Sequence, residues 1–305
     1  MLVLVAQAVL RRRVRGAATW RRRRANSLPA CVRPAAAPAT DAAAAATASA
    51  TATRRPNGLG TRPMPVRGKP LMQWAMEGLQ RGGVRDLVIN TAWLGAQIPQ
   101  HFGATFEAPG QAPMRLHISQ EGVDFGGALE TAGGIARALP WLADTFWVAA
   151  GDVFAPEFEF SPEAFARFQA SPQLAHLWLV PNPAHNVGGD FGVSPTGLAL
   201  NLPKLTPSEL ASMQAAHAAV RSPAQPHASA APQPRYTFST IALYKRAFFD
   251  AAWCDIPAGN PAGVKAPLAA MLRAAMDQGA VSASLYTGAW TDVGTPERLA
   301  QLNAV

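Results

Sequence analysis

The stretch DTFWVAAGDVF (Asp144–Phe154) carries an unbroken apolar run that ends in Gly151 and the acid Asp152. Apolar side chains at successive positions leave neither face of a strand for water, so the run predicts a strand buried on both faces, as in a sheet covered by helices. A carboxylate at the tip of such a strand is held rigidly at the sheet's rim, and Gly151 removes side-chain bulk beside it. On the N-terminal side TAGGIARALPWLA (131–143) has helical spacing, and on the C-terminal side SPEAFARFQAS (161–171) predicts a helix and LAHLWLVPN (174–182) a strand. Helix and strand in alternation are the pattern of βαβ units.

The same rhythm extends in both directions. KPLMQWAMEGLQRGG (69–83) places Leu71, Trp74, Ala75 and Leu79 at helical spacing and stops at Gly82-Gly83; VRDLVINTAW (84–93) is β-branched and strand-like. LGAQIPQHFG (94–103) predicts a brief helix interrupted by Pro99, and MRLHISQEG (114–122) alternates as a strand does. Past residue 182, GDFGVSPTGLALNL (189–202) predicts a hairpin, YTFSTIALYKRAFF (236–249) a strand and APLAAMLRAAMDQG (266–279) an amphipathic helix. VSASLYTGAWTDVGT (281–295) gives a strand ending at Asp292, and PERLAQLNA (296–304) a closing helix with Pro296 in its first turn. The expected fold is α/β: a Rossmann-like, mostly parallel sheet with helices on both faces, spanning residues 58–305 as one main domain. Residues 203–235, rich in Pro, Ala, Ser and Gln, predict a surface insertion with one short helix.

The whole chain, 305 residues with a formal charge of +8, suggests an anionic partner until the charge is located. It sits in residues 1–57, where Arg11, Arg12, Arg13, Arg15, Arg21 to Arg24, Arg33, Arg54 and Arg55 face the single acid Asp41; the remainder is slightly acidic. This Arg/Ala-rich leader is expected to be disordered, whether it is an organellar transit peptide, a solvated basic tail or a stretch translated in the wrong frame. Trp20 is the single aromatic residue among its charges, too little interleaving to point to a specific nucleic-acid partner, and none is expected. Cys31 and Cys254 show neither disulfide nor zinc spacing, which fits a reducing cytoplasm, and no apolar run is long enough to predict a membrane span.

Asp292 repeats the placement of Asp152: strand end, acid, then glycine and a proline-started helix. Two such acids could share one Mg²⁺, which takes hard oxygen ligands together with substrate phosphates. In GGALETAGGIARAL (126–139), Gly126, Gly127, Gly133 and Gly134 would let backbone amides approach a ligand where the chain enters a helix at Thr131-Ala132-Gly133. Lys265 precedes Pro267 at a helix start, a place where anions bind. His101, His117, His176, His185, His217 and His227 show no ligand-like spacing and are read as ordinary surface or core residues, and Trp290 as core packing.

The ordered set RGKPLMQW, VRDLVINTAWLG, ALETAGGIARALPWL, AAGDVF, NPAHNVGGDFGVS, YTFSTIALYKRAFF, VKAPLAAMLRAAM and WTDVGTPERLAQL resembles bacterial sugar-1-phosphate nucleotidyltransferases over residues 61–305. Among these it is most similar to the N-acetylmuramate-1-phosphate uridylyltransferases of cell-wall recycling. The resemblance implies that Asp152 and Asp292 bind Mg²⁺, that Asp152, Thr131, Ala132 and Gly133 lie on the nucleotide, and that Glu130, Asn182, Asp190 and Gly192 lie on the sugar side. It gives Lys265 to the sugar phosphate and Lys69 or Arg62 to the departing phosphates. The implied reaction joins a sugar 1-phosphate to the α-phosphorus of a nucleoside triphosphate, UTP by preference, with release of pyrophosphate. Transfer of a guanylyl group to mannose 1-phosphate is the alternative, and a noncatalytic homologue is a third reading, because the family's first strand and phosphate loop are not found upstream of Arg62.

Overall fold

The computed structural model describes residues 3–8, 65–203, 205–219 and 234–304. In chain order they form β1 (Val3–Ala8), β2 (Pro65–Val66), β3 (Lys69–Pro70), α1 (Leu71–Arg81), β4 (Val84–Thr91), α2 (Gln97–Phe102), β5 (Thr105–Phe106) and β6 (Met114–Gln120). Next come α3 (Glu121–Phe125), α4 (Glu130–Ala138), β7 (Thr145–Ala150), β8 (Val153–Phe154), α5 (Pro162–Ala170), β9 (Ala175–Val180), β10 (Phe191–Val193) and β11 (Ala199–Leu200). The last third holds α6 (Pro207–Ala219), β12 (Arg235–Lys245), α7 (Leu268–Asp277), β13 (Val281–Leu285), β14 (Thr291–Asp292) and α8 (Pro296–Asn303). All described residues fall in one unit made of Met1–Val9 and Gly60–Val305.

The main sheet has the order β11-β10-β12-β7-β1-β4-β6-β5, with β9 paired to β12 and β13 to β9. Ladders β4–β6 and β9–β13 are parallel. β4 and β7 both run against β1, and β7 and β9 both run against β12, so β4, β6, β7, β9 and β13 share one direction. Their carboxyl ends make one rim, where open α/β sheets collect ligands. The α/β expectation therefore holds, but the sheet is mixed rather than mostly parallel, because β1 and β12 run against the aligned strands on either side of them and turn most ladders antiparallel.

The leader departs from its expectation at Val3–Ala8, which lie in the sheet between β4 and β7. An apolar hexapeptide, VLVAQA, supplies backbone groups that two neighbouring strands would otherwise lack. Its direction matters for the site. Val3 pairs with Asn90 and Ala150 at the Asp152 rim, whereas Ala8 pairs with Val84, so the chain leaves β1 at the opposite rim.

Side chains alternate between two cores, as the period of a strand requires. Phe146 and Val148 of β7, with Ala242 and Tyr244 of β12, pack under α4 and α7. Trp147, Ala149, Ile241 and Leu243 face the other way, onto Met72, Met76 and Leu79 of α1 and Phe165 and Phe168 of α5. A third, smaller cluster joins Val66, Leu71, Phe154 and Val293, with Trp74, Leu299 and Leu302 at its edge. It sits directly beneath the two acids singled out above. The segment read as an insertion carries α6, a helix longer than the short one expected; residues 220–233 lie outside the described residues. Cys254 is buried and free. Among the described residues no helix is long and apolar enough to cross a membrane.

Candidate functional site

Asp152 stands one residue beyond β7, after Gly151, and the next residues form β8, which pairs antiparallel with β14 in the register Asp292↔Val153 and Thr291↔Phe154. The Val293 amide donates to the Asp152 carbonyl at 2.7 Å. Two acids from distant parts of the chain are thus neighbours across one short ladder, anchored by Phe154 edge-on to Trp74 at 5.1 Å. Burial pushes the Asp152 carboxyl above its ordinary pKa; the charge of Asp292 adds to the rise and Arg298 opposes it.

Asp292 is held by the helix that follows it. Thr295 caps α8 by accepting from the Arg298 amide, Pro296 opens the helix, and Arg298 Nη1 then donates to Asp292 Oδ2 at 2.5 Å. The other carboxylate oxygen, Oδ1, is buried without a hydrogen-bond partner. His185 Nε2 lies 2.8 Å from it, outside hydrogen-bond alignment, and 3.0 Å from Arg298 Nη1. No protonation state of His185 satisfies both neighbours: a bare Nε2 faces a carboxylate, and a protonated one faces a guanidinium. His185 is therefore a site residue, in contrast to its reading as an ordinary histidine. Its signal was only the loop NPAHN, which has no periodicity.

Among the described residues no group of three or more His, Cys, Asp or Glu could cage a metal. Two acids that are neighbours across one ladder and feel one another's charge, with a buried oxygen of Asp292 outside any hydrogen bond, are a donor set that fits Mg²⁺, which keeps waters and phosphate oxygens for its remaining ligands.

The glycine-rich segment and Lys265 come together, but not as free amides around a ligand. The amides of Ala132 and Gly133 both donate to the Ala266 carbonyl, at 3.0 and 3.3 Å, and the Ala266 amide donates to Leu129. Buried Asn260 completes the staple: Nδ2 donates to Gly133 O and Val264 O, and Oδ1 accepts from the Val264 amide. A Cβ on Gly133 would stand 2.4 Å from the Val264 carbonyl, so glycine is required there for packing against the Lys265 loop. Lys265 is exposed, and a Cβ built on Gly127 would lie 3.8 Å from its Nζ, so the ammonium hangs over the glycine turn. Thr131 is half-buried beside it, and Glu130 is exposed with φ +60°, left-handed backbone at the helix entrance.

The remaining expected residues are engaged in building the walls. Lys69 pairs with Glu77 at 2.5 Å and sits over the Trp74 ring at 3.6 Å. Arg62 lies outside the described residues. Asn182 bonds the carbonyls of Val187 and Arg235 and accepts from Thr237; Asp190 accepts from the Phe238 amide and from Asn186. Gly192 lies in β10, where a Cβ would stand 2.8 Å from Leu202. These groups staple the loop carrying His185 onto β12. Trp290 is half-buried, and its indole donates to Ser239 O beside the β12 irregularity. At the same rim Asn90 and Glu121 are buried; both amide atoms of Asn90 and Oε1 of Glu121 have no partner among the described residues, and burial raises the Glu121 pKa.

No family profile matches the chain. Over 255 residues it is 36% identical to an N-acetylmuramate alpha-1-phosphate uridylyltransferase of Neisseria meningitidis serogroup B, covering 80% of this chain and 90% of the relative. Among solved structures it is similar to a protein of Bacillus anthracis described as a glucose-1-phosphate thymidylyltransferase, with a TM-score of 0.53 and 17% identity over 79% of this chain and 84% of that one. It is also similar to HddC of Yersinia pseudotuberculosis complexed with GMP-PN, with a TM-score of 0.50 and 15% identity over 81% of this chain and 95% of that one. At these identities the two structures speak for the fold.

Proposed function

The chain belongs to the sugar-1-phosphate nucleotidyltransferase family, and from that premise we propose that it transfers a uridylyl group from UTP to N-acetylmuramate 1-phosphate and releases pyrophosphate. The observation that carries this reading is the Asp152–Asp292 pair, with one buried carboxylate oxygen left unpartnered.

A sugar-phosphate oxygen forms the new bond to the α-phosphorus as the bond from that phosphorus to the bridging oxygen of pyrophosphate breaks. The attacking oxygen is already an anion, so no side chain is asked to remove a proton. The protein's task is to align two anions and offset their repulsion. Asp152 and Asp292 would hold Mg²⁺, which when bound neutralises charge between the two phosphates. Lys265 is suited to the sugar phosphate because it is the exposed cation at the glycine turn and forms no ion pair among the described residues. Asn260 and Ala266 fix that lysine's loop to the start of α4, so the distance from Lys265 to the nucleotide side of the site is set by buried hydrogen bonds. Arg298 bonds Asp292 Oδ2, and His185 stands 2.8 Å from its Oδ1. A reaction that consumes a nucleoside triphosphate places this activity in the cytoplasm.

The test is pyrophosphate release by purified protein with UTP, Mg²⁺ and N-acetylmuramate 1-phosphate. Asp152→Asn should lower turnover by about 10²-fold or more, the usual effect of losing one charge-stabilising group, with an unchanged circular dichroism spectrum. Turnover within a few fold of wild type would remove the metal assignment. A preference for GTP and mannose 1-phosphate would correct the substrates and keep the chemistry.

A further inference from the structure

The loop stapled by Asn182 and Asp190 forms one wall of a cleft of about 310 Å³. His185 and Asn186 stand at one side, Gln214 of α6 at another, and the side chains of Arg235 and Arg273 complete it. Because His185 Nε2 is 2.8 Å from Asp292, the cleft opens beside the pair of acids. The segment read from sequence as a surface insertion is thus part of a site wall.

The two arginines are unusual in what holds them. Arg235 donates from Nε to Gly188 O at 3.0 Å and from Nη1 to Pro203 O at 2.8 Å; Arg273 donates from Nη1 to Asn201 Oδ1 at 2.7 Å and lies over the Phe191 ring at 5.0 Å. Every one of these partners is neutral. Among the described residues neither guanidinium forms an ion pair, and the nearby Asp190 carboxylate is occupied by the Phe238 amide and Asn186. Burial lowers the pKa of Arg235 and the like charge of Arg273 lowers it further, against a smaller opposing pull from Asp190 and Glu209, neither of which forms an ion pair with it. Two half-buried cations that repel one another and face a polar cleft are stabilised when an anion enters between them. A neutral sugar ring, offering hydroxyls alone, would leave both charges without a counter-ion.

Resting on the reading of the chain as an N-acetylmuramate-1-phosphate uridylyltransferase, we propose that Arg235 and Arg273 bind the carboxylate of the muramate side chain. That carboxylate is the group by which N-acetylmuramate differs in charge from N-acetylglucosamine. The sugar phosphate then points past His185 toward the acids and Lys265, while the ether-linked carboxylate enters the cleft, whose lining also holds Gln214 as a neutral donor. Specificity follows from the unpaired cations: they reward the acidic sugar and penalise the neutral one.

The test measures binding and turnover separately, on the full chain. By titration calorimetry, free N-acetylmuramate should bind wild-type protein about tenfold or more tighter than N-acetylglucosamine, and Arg273→Gln should abolish that preference, as expected for one charged hydrogen bond in a cleft. Arg235→Lys, which keeps the charge and loses the fork, should reduce it. In steady state, Arg273→Gln should raise KM for N-acetylmuramate 1-phosphate by about 10- to 100-fold with kcat within a few fold. A wild-type protein with no preference between the two free sugars, or a preference that survives in both variants, would overturn the proposal. A carboxylate preference that depends on Arg273, without any pyrophosphate release, would leave the subsite standing and sink the transferase reading alone.

Discussion

Replacing Asn260 by alanine should disconnect the Lys265 loop from the start of α4. Asn260 is fully buried, and its side chain makes three hydrogen bonds to backbone: to Gly133 O at 3.0 Å, to Val264 O at 2.9 Å, and from the Val264 amide at 2.8 Å. Removing them strands backbone groups away from water, at roughly 1 kcal/mol each and about 3 kcal/mol together. The backbone at Asn260 has φ +42°, which asparagine tolerates better than alanine, adding about 1 kcal/mol. The expected loss for Asn260→Ala is thus about 4 kcal/mol, a large share of the roughly 5–15 kcal/mol of a typical domain. Asn260→Gly isolates the hydrogen bonds, because glycine accepts the positive φ, and should cost about 3 kcal/mol. Urea denaturation at constant slope measures both. Because the same bonds hold the Lys265 loop, the glycine variant should also raise KM for the sugar phosphate under conditions where it is folded. A loss below about 1 kcal/mol in both variants would refute the staple as the support of this loop.

Two further outcomes follow from the electrostatics. His176 is neutral in the fold, its pKa lowered to about 4 by burial against Trp178, with Nδ1 at 2.8 Å from Ser282 Oγ. A depressed pKa means that this stability is present above the ordinary value of about 6.5 and is lost as pH falls toward 4, by about 2 kcal/mol between about pH 7.5 and about pH 5; His176→Gln should flatten that part of the curve in urea melts, and an unchanged slope would reject it. Arg298→Gln removes the cation on Asp292 Oδ2 and should tighten Mn²⁺ binding, read by electron paramagnetic resonance without nucleotide, by about two- to fivefold; unchanged or weaker binding would show that Arg298 supports the metal rather than competing with it.

What could be read from the sequence is what has a period or a terminus. Trp147 and Ala149 against Phe146 and Val148 alternate into two cores, and Asp152 and Asp292 stand at strand ends, so both the layered fold and the meeting of the acids were legible. The staples were not. Asn260, Asn182 and Asp190 each reach, through one of their hydrogen bonds, backbone more than a hundred or some fifty residues away, and a contact of that kind leaves no periodic trace. For the same reason Gly133 looked like an opening for ligand amides, when its missing Cβ is what lets the Val264 carbonyl approach. His185 and Arg298 escaped because each becomes informative only at Asp292, where the carboxylate that joins them is contributed by a third segment.

The first strand carries the same lesson further. Its composition, VLVAQA, predicts strand propensity but is silent on direction, and direction decides where the following chain emerges. A strand parallel to β4 and β7 would end at the rim of Asp152; β1, running against both, ends at the other rim, with Ala8 beside Val84. The orphaned Asn90 and Glu121 lie at the rim where Val3 pairs with Asn90. Polar groups buried at a sheet's carboxyl rim gain most from backbone amides brought there by a loop. The acids, Lys265 and the arginine cleft have further supports in the small cluster under Phe154 and Val293, in Asn260 and in the β12 staples. Of the two acids, Asp152 stands at the end of a strand paired with β1, so its position depends the more directly on that strand.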